Sequence, residues 1–187
     1  MHVVYDLDRP DLGGNIRHGD TATWCSDLWD LLIELYGVRT ALDVGCGEGH
    51  AVAYLNKKGI YAVGIDGLIK NIERSVFPIV LHDLLAGPFI MPVDLVWSSE
   101  VAEHIPESHV DNYIDTLCNG KVIAMTHAVP GQVGHNHVNC QTSDYWIEKM
   151  ALRGYTISSD LEIFREVSKK RGFGYYFNLS GLVFLKN

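Results

Sequence analysis

Three histidines, His127, His135 and His137, fall within eleven residues on a loop that also holds Pro130, Gly131 and Gly134. A neutral imidazole with an ordinary pKa can take a proton from a hydroxyl whose oxygen is forming a new bond. His137 is the first candidate for such a base and His127 the second. His104, which follows Glu100 and Glu103, is a third. Each also has a structural reading, as a polar residue that positions a loop. A metal reading would use His127, His135, His137 or Cys140. His135-x-His137-x-x-Cys140 offers three ligands where a structural zinc asks for four, and the loop has no carboxylate before Asp144. No metal is therefore expected.

A second set of residues is suited to binding. The apolar run Thr40–Val44 breaks into Gly45-Cys46-Gly47-Glu48-Gly49, and helix-compatible sequence follows. Glycines at this spacing let a strand turn sharply, admit a ligand against the backbone, and let the next helix pack closely. The helix start then presents free N–H groups. Asp66 ends the next apolar run, 21 residues after Gly45. About that far along, a carboxylate grips the ribose hydroxyls of a nucleoside in open parallel sheets. Asp83 follows the third apolar run.

Asp43-Val44-Gly45-Cys46-Gly47-Glu48-Gly49 resembles the first motif of class I S-adenosylmethionine (SAM)-dependent methyltransferases. Asp66 matches their ribose-binding acid, and His82-Asp83-Leu84 matches the segment that contacts adenine. The stretch from Asp94 to Ile105 resembles their fourth-strand motif. The resemblance implies a SAM site formed by Asp43, Gly45, Cys46, Gly47, Asp66, Gly67, Asp83, Leu84 and Ser99, with S-adenosylhomocysteine (SAH) as product. In it Asp43 would organise the turn and the ligand ammonium, Asp66 the ribose, Asp83 the adenine amino group, and the Leu84 N–H the adenine ring. Methyltransferases of nucleic-acid amines carry Asn/Asp-Pro-Pro-Tyr/Phe after the fourth strand, where this chain has Ser98-Ser99-Glu100-Val101. The region is nearer the quinone-pathway and sugar O-methyltransferases. The expected activity is O-methylation of a small polar acceptor such as a sugar or other hydroxylated metabolite.

The elements that must hold these residues follow from periodicity. Strands are expected at Thr40–Val44, Tyr61–Ile65, Ile79–His82, Leu95–Ser98 and Val122–Thr126, with helices at Gly49–Lys58, Leu68–Ser75 and Glu107–Leu117 between them. Thr23 or Asp20 should cap a helix from about Trp24 to Tyr36. Beyond the loop 128–141, Thr142 or Ser143 should cap a helix over Asp144–Leu152. Strand Thr156–Ser159, a helix about Leu161–Lys170 and the apolar run Gly181–Leu185 come last. Repeated β–α units make the fold α/β, a doubly wound and mostly parallel sheet. The resemblance adds that it has seven strands and that the antiparallel last strand inserts between the fifth and sixth. Residues 1–22 read as a lid or cap over the cofactor, and 23–187 as a single methyltransferase domain.

The chain has 187 residues, 47% hydrophobic and 20% charged, as a water-soluble globular domain would. A net charge of −8 argues against duplex nucleic acid as a partner. Lys169-Lys170-Arg171 is read as a solvated helix end. Four cysteines without a Cys-x-x-Cys pair suggest reduced thiols and a cytoplasmic protein. No bilayer span and no signal-peptide pattern are expected, and the oligomeric state is left open. Two other functions compete. A nicotinamide-dependent dehydrogenase would want Gly-x-Gly-x-x-Gly, but His50 stands at the third glycine's place, and there is no Tyr-x-x-x-Lys pair. A methyltransferase-like protein could also bind SAM or a partner chain without turnover.

Overall fold

The computed structural model describes residues 3–4, 6–169 and 173–187. A two-stranded antiparallel ladder, β1 (Val3–Val4) with β2 (Asn15–Ile16), precedes helix α1 (Ser26–Tyr36). The alternating section follows as β3 (Thr40–Val44), α2 (His50–Lys57), β4 (Tyr61–Asp66), α3 (Ile69–Arg74), β5 (Val80–Leu81), β6 (Val93–Ser98), α4 (Val110–Leu117) and β7 (Gly120–Met125). After a loop come α5 (Ser143–Ala151), β8 (Tyr155–Ile157), α6 (Leu161–Ser168), α7 (Tyr175–Ser180) and β9 (Leu182–Lys186).

Seven strands form one sheet in the order β5-β4-β3-β6-β7-β9-β8. Pairing is parallel from β5 through β7, and β9 runs antiparallel to both β7 and β8. The antiparallel last strand between the fifth and sixth is thus present. Crossovers that start from a central strand build the sheet outwards each way, so β3 and β6 are adjacent although Val93 comes 49 positions after Val44. Between their carboxyl ends lies the crevice where such sheets bind ligands.

Each face of the sheet carries its own core, as the period of two along a strand requires. Leu42, Val44 and Val96 point to the face covered by Tyr113, Ile114 and Leu117 of α4 and Trp146 of α5. Ala41, Leu95 and Trp97 point to the other, against Leu28, Trp29 and Leu32 of α1, Leu55 of α2 and Phe177 of α7. Trp97 stacks on Phe177 with ring centroids 5.5 Å apart and meets Trp29 edge-on. Burying each such side chain contributes roughly 1.5–3 kcal/mol.

Several expectations needed correction. Helix α1 starts at Ser26, not Trp24, and neither Thr23 nor Asp20 caps it. Asp20 Oδ1 accepts the Ala22 N–H, and the Asp20 carbonyl accepts the Thr23 hydroxyl, so this segment closes a turn of its own. The helix expected from Glu107 opens with a 3-10 turn, Glu107–His109, because Pro106 fixes the entry. β5 is only two residues long, an exposed edge strand after Pro78. Thr142 precedes α5 without a side-chain cap. The ladder of β1 with β2, and α7, were not anticipated. Lys170 and Arg171, the end of the expected basic cluster, lie outside the described residues.

Candidate active site

A cavity of about 460 Å³ opens at the carboxyl ends of β3, β4 and β6. Its walls include Asp43, Gly45, Cys46, Gly47, Asp66 and Gly67 on one side and Ser99, Glu100, Val101 and His104 on the other, with Asp83 and Leu84 at the end near β5. Every residue assigned to the donor in the sequence therefore lines this one space.

The glycine turn is shaped by backbone demands. Gly45, Gly47 and Gly49 have φ of 70°, 57° and 78°, in the left-handed region that side chains avoid. A Cβ at Gly45 would stand 2.3 Å from Val101 Cγ2, so the turn also needs the space. Gly45 and Cys46 give their N–H groups to the Ile65 carbonyl. Gly47 N–H donates to Asp66 Oδ2 at 2.9 Å, which ties the turn to the next strand. Asp66 also accepts from the Leu68 N–H at 2.8 Å and from Asn71 Nδ2 at 3.0 Å through Oδ1. It both closes the turn that leads into α3 and borders the cavity.

The electrostatics favour a cation-bearing ligand. Asp43 is 3% exposed, and burial, aided by the neighbouring Asp66, pushes its carboxyl up to about 8. Asp66 is raised too, by burial, against the lowering effect of its three donors. Burial first, then these two acids, hold the Cys46 thiol well above its ordinary value and so un-ionised. A positive group in the cavity would let Asp43 ionise.

The opposite wall is built from the β6 end and the segment after it. Ser98 Oγ donates to the Val44 carbonyl and receives the Tyr113 hydroxyl at 3.0 Å, so Ser98 is structural. Glu100 has φ of 57°, rare for a side-chain-bearing residue. Thr126 holds it there: its hydroxyl accepts the Glu100 N–H at 2.7 Å and donates to Glu100 Oε1 at 2.9 Å. A 3-10 turn, Ala102–His104, then presents Glu103 and His104. Burial, then the Glu100 carboxyl, raises Glu103 to about 8. Burial lowers His104 to about 4, so its imidazole is neutral at physiological pH.

The three histidines proposed as bases separate in space. His127 is fully buried beneath α5, its Nε2 3.1 Å from Ser143 Oγ, and does not line the cavity. His137 lies behind His104, ring centroids 5.2 Å apart. His104 alone of the three reaches the cavity wall. Among the described residues, His127, His135, His137 and Cys140 are not grouped as a ligand set. Cys140 Sγ and His137 Nδ1 approach to 3.8 Å.

The N-terminal segment crosses the mouth of the cavity. Arg9 Nη2 bonds Asp83 Oδ2 at 2.7 Å, and Lys70 Nζ lies 3.7 Å from Asp6 Oδ1. Asn15 bonds Asn71, and the His18 N–H donates to Glu48 Oε2. On the far side Gly13 rests against the His104 ring, and the Asp11 carbonyl accepts Asn136 Nδ2. Arg9, Asn15 and Thr126 were missed as site residues. Only the fold brings them there, and none sits in a local motif.

Residues 42–115 match the family model described as a methyltransferase domain. Over 95 residues the chain is 33% identical to an uncharacterized methyltransferase from Mycobacterium sp. (strain KMS). That match covers 47% of this chain and 38% of the relative, so the chain spans well under half of the curated protein it matches. Among solved structures, the sugar N-methyltransferase KedS8 from Streptoalloteichus sp ATCC 53650 superposes with a TM-score of 0.67 at 13% identity, covering 91% of this chain and 90% of that one. Magnesium protoporphyrin IX methyltransferase from Synechocystis PCC 6803, solved with bound SAM, gives 0.59 at 15% identity, covering 87% and 79%. These likenesses establish the fold.

Proposed function

We propose that this chain carries the core of a class I SAM-dependent methyltransferase and that it transfers the methyl group of SAM to a hydroxyl of a small polar acceptor, such as a sugar or another hydroxylated metabolite. The acceptor oxygen forms a bond to the methyl carbon as the carbon–sulfur bond breaks. Sulfur keeps the bonding pair and becomes the neutral thioether of SAH, and the hydroxyl proton leaves on the acceptor side. The protein's main contribution is alignment and exclusion of water.

One observation carries the reading: a single cavity has Asp43, Asp66, Asp83 and the glycine turn on one wall and Glu100 and His104 on the other. The first wall suits the ammonium, ribose and adenine of SAM. The second receives the acceptor and its proton. Oxygen is favoured because Ser98-Ser99-Glu100-Val101 stands where amine methyltransferases of nucleic acids carry their Pro-Pro motif. A net charge of −8 points away from duplex nucleic acid. No helix among the described residues is long and apolar enough to cross a membrane, and all four cysteines are free.

The test is a melt of the purified chain with SAM, SAH or NAD, since only a ligand of the native state raises the midpoint. SAM and SAH are expected to stabilise and NAD is not. An acceptor screen across sugars and nucleotide sugars, reading SAH release, then separates turnover from binding alone. A product methylated on nitrogen or carbon would overturn the oxygen assignment.

A further inference from the structure

Behind the acceptor wall, Glu103, His104 and His137 each bring a donor atom to within 4.8 Å of the others. We propose that these three side chains hold a divalent first-row transition cation, and that its open positions take the acceptor hydroxyl. The site deepens the methyl-transfer reading and depends on it for the cation's role, though not for the cation's place.

Three features point to an ion. First, Glu103 is fully buried, and its carboxylate oxygens lie against the Glu100 carboxyl and the Ala128 N–H without a well-formed hydrogen bond to either. Two buried carboxyls side by side are costly to ionise unless a cation lies beside them. Second, both imidazoles are already oriented by their other nitrogen. His104 Nδ1 lies 3.1 Å from the Asn136 carbonyl, and His137 Nδ1 lies 3.3 Å from the Gln132 carbonyl. A ring nitrogen facing a carbonyl must be the protonated one, which leaves the other with a free lone pair. Metal-binding histidines are set up in this way.

Third, the surrounding backbone is organised to bring the three together. The Glu103 carbonyl accepts both the Val138 and Asn139 N–H groups, at 2.9 and 3.0 Å, and so draws the 128–141 loop against the 3-10 turn. Gly134 leaves room for the His137 ring, since a Cβ there would stand 2.1 Å from Nε2.

Two imidazoles and one carboxylate suit manganese, iron, cobalt or zinc and leave positions open on a six-coordinate ion. Three donors bound at about 2.1 Å sit ~3.0–3.6 Å apart, so the cluster would contract by roughly 1 Å or more on taking up an ion. A cation here would lie next to His104 on the cavity wall. As a Lewis acid it would make an acceptor hydroxyl more acidic. The hydroxyl proton would pass to Glu100, the other carboxylate on this wall, as the oxygen attacks the methyl carbon.

Manganese(II) is the probe. The full chain, saturated with SAH, is titrated with it while free ion is followed by electron paramagnetic resonance. One ion per chain is expected. Glu103→Gln and His137→Ala should each weaken it by ~10-fold or more. Retained SAH binding shows that these variants are folded. Asp66→Ala should do the reverse, losing SAH and keeping manganese. If manganese binds through Glu103 while SAH does not bind at all, the donor reading fails and the ion site stands. Absence of stoichiometric binding, or equal binding in the folded Glu103→Gln chain, overturns the proposal.

Discussion

Arg9 Nη2 bonds Asp83 Oδ2 at 2.7 Å, so the N-terminal segment is latched to the strand end expected to receive adenine. The partners keep 40% and 27% of their side-chain surface, and such a pair is worth about 0–1 kcal/mol. SAM entering the site must share Asp83 with Arg9 or displace it. Arg9→Ala is therefore expected to speed SAH release by up to ~5-fold with little change in melting temperature. Stopped-flow displacement checks it, and an unchanged rate would remove the latch.

Asp66 has two duties, and its variants should show both. Removing the carboxylate frees the Gly47 and Leu68 N–H groups and leaves Asn71 without its acceptor. Asp66→Ala is expected to lose about 1–2 kcal/mol of stability from the lost hydrogen bonds. It should also lose at least ~10-fold in SAH affinity, read by calorimetry. A stability loss with unchanged affinity would leave Asp66 only the task of holding the two turns together.

The acid of the glycine turn sets a pH dependence. Burial, then Asp66, raises Asp43 to about 8 in the folded chain. The unfolded chain loses that proton near pH ~4. The folded state thus binds more protons between these values, and stability falls as pH rises through them. Asp43's contribution is complete below the unfolded value and gone above the folded one. Melts of the ligand-free protein from about pH 5 to 8 should show the decline, and Asp43→Asn should flatten it.

The space at the turn predicts a paired result. Gly45→Ala should cost about 1–3 kcal/mol, through its φ of 70° and through the clash with Val101. Adding Val101→Ala removes the clash and not the dihedral, so stability should return only in part. Full recovery would mean that the backbone bears no strain there.

The donor wall was legible because its chemistry is local. Gly45, Gly47 and Gly49 announce positive φ, and the interval to Asp66 is set by the length of one helix and one strand. The acceptor wall was harder to read. Glu103 looks like any acid at a helix entrance, and its burial depends on a loop that returns from more than thirty residues away. His127 and His137 are the same residue type on one loop, yet the first is sealed under α5 and the second reaches the Glu103 cluster. Sheet order came from resemblance, since periodicity carries no information about which strands are neighbours.

The strap formed by residues 6–18 touches both walls, with Arg9 on Asp83, Gly13 on His104 and the Asp11 carbonyl on Asn136. A strap tied at both ends could be lifted as one piece. Spent donor and methylated product would then share a single gate, and whichever leaves first would open the door for its companion.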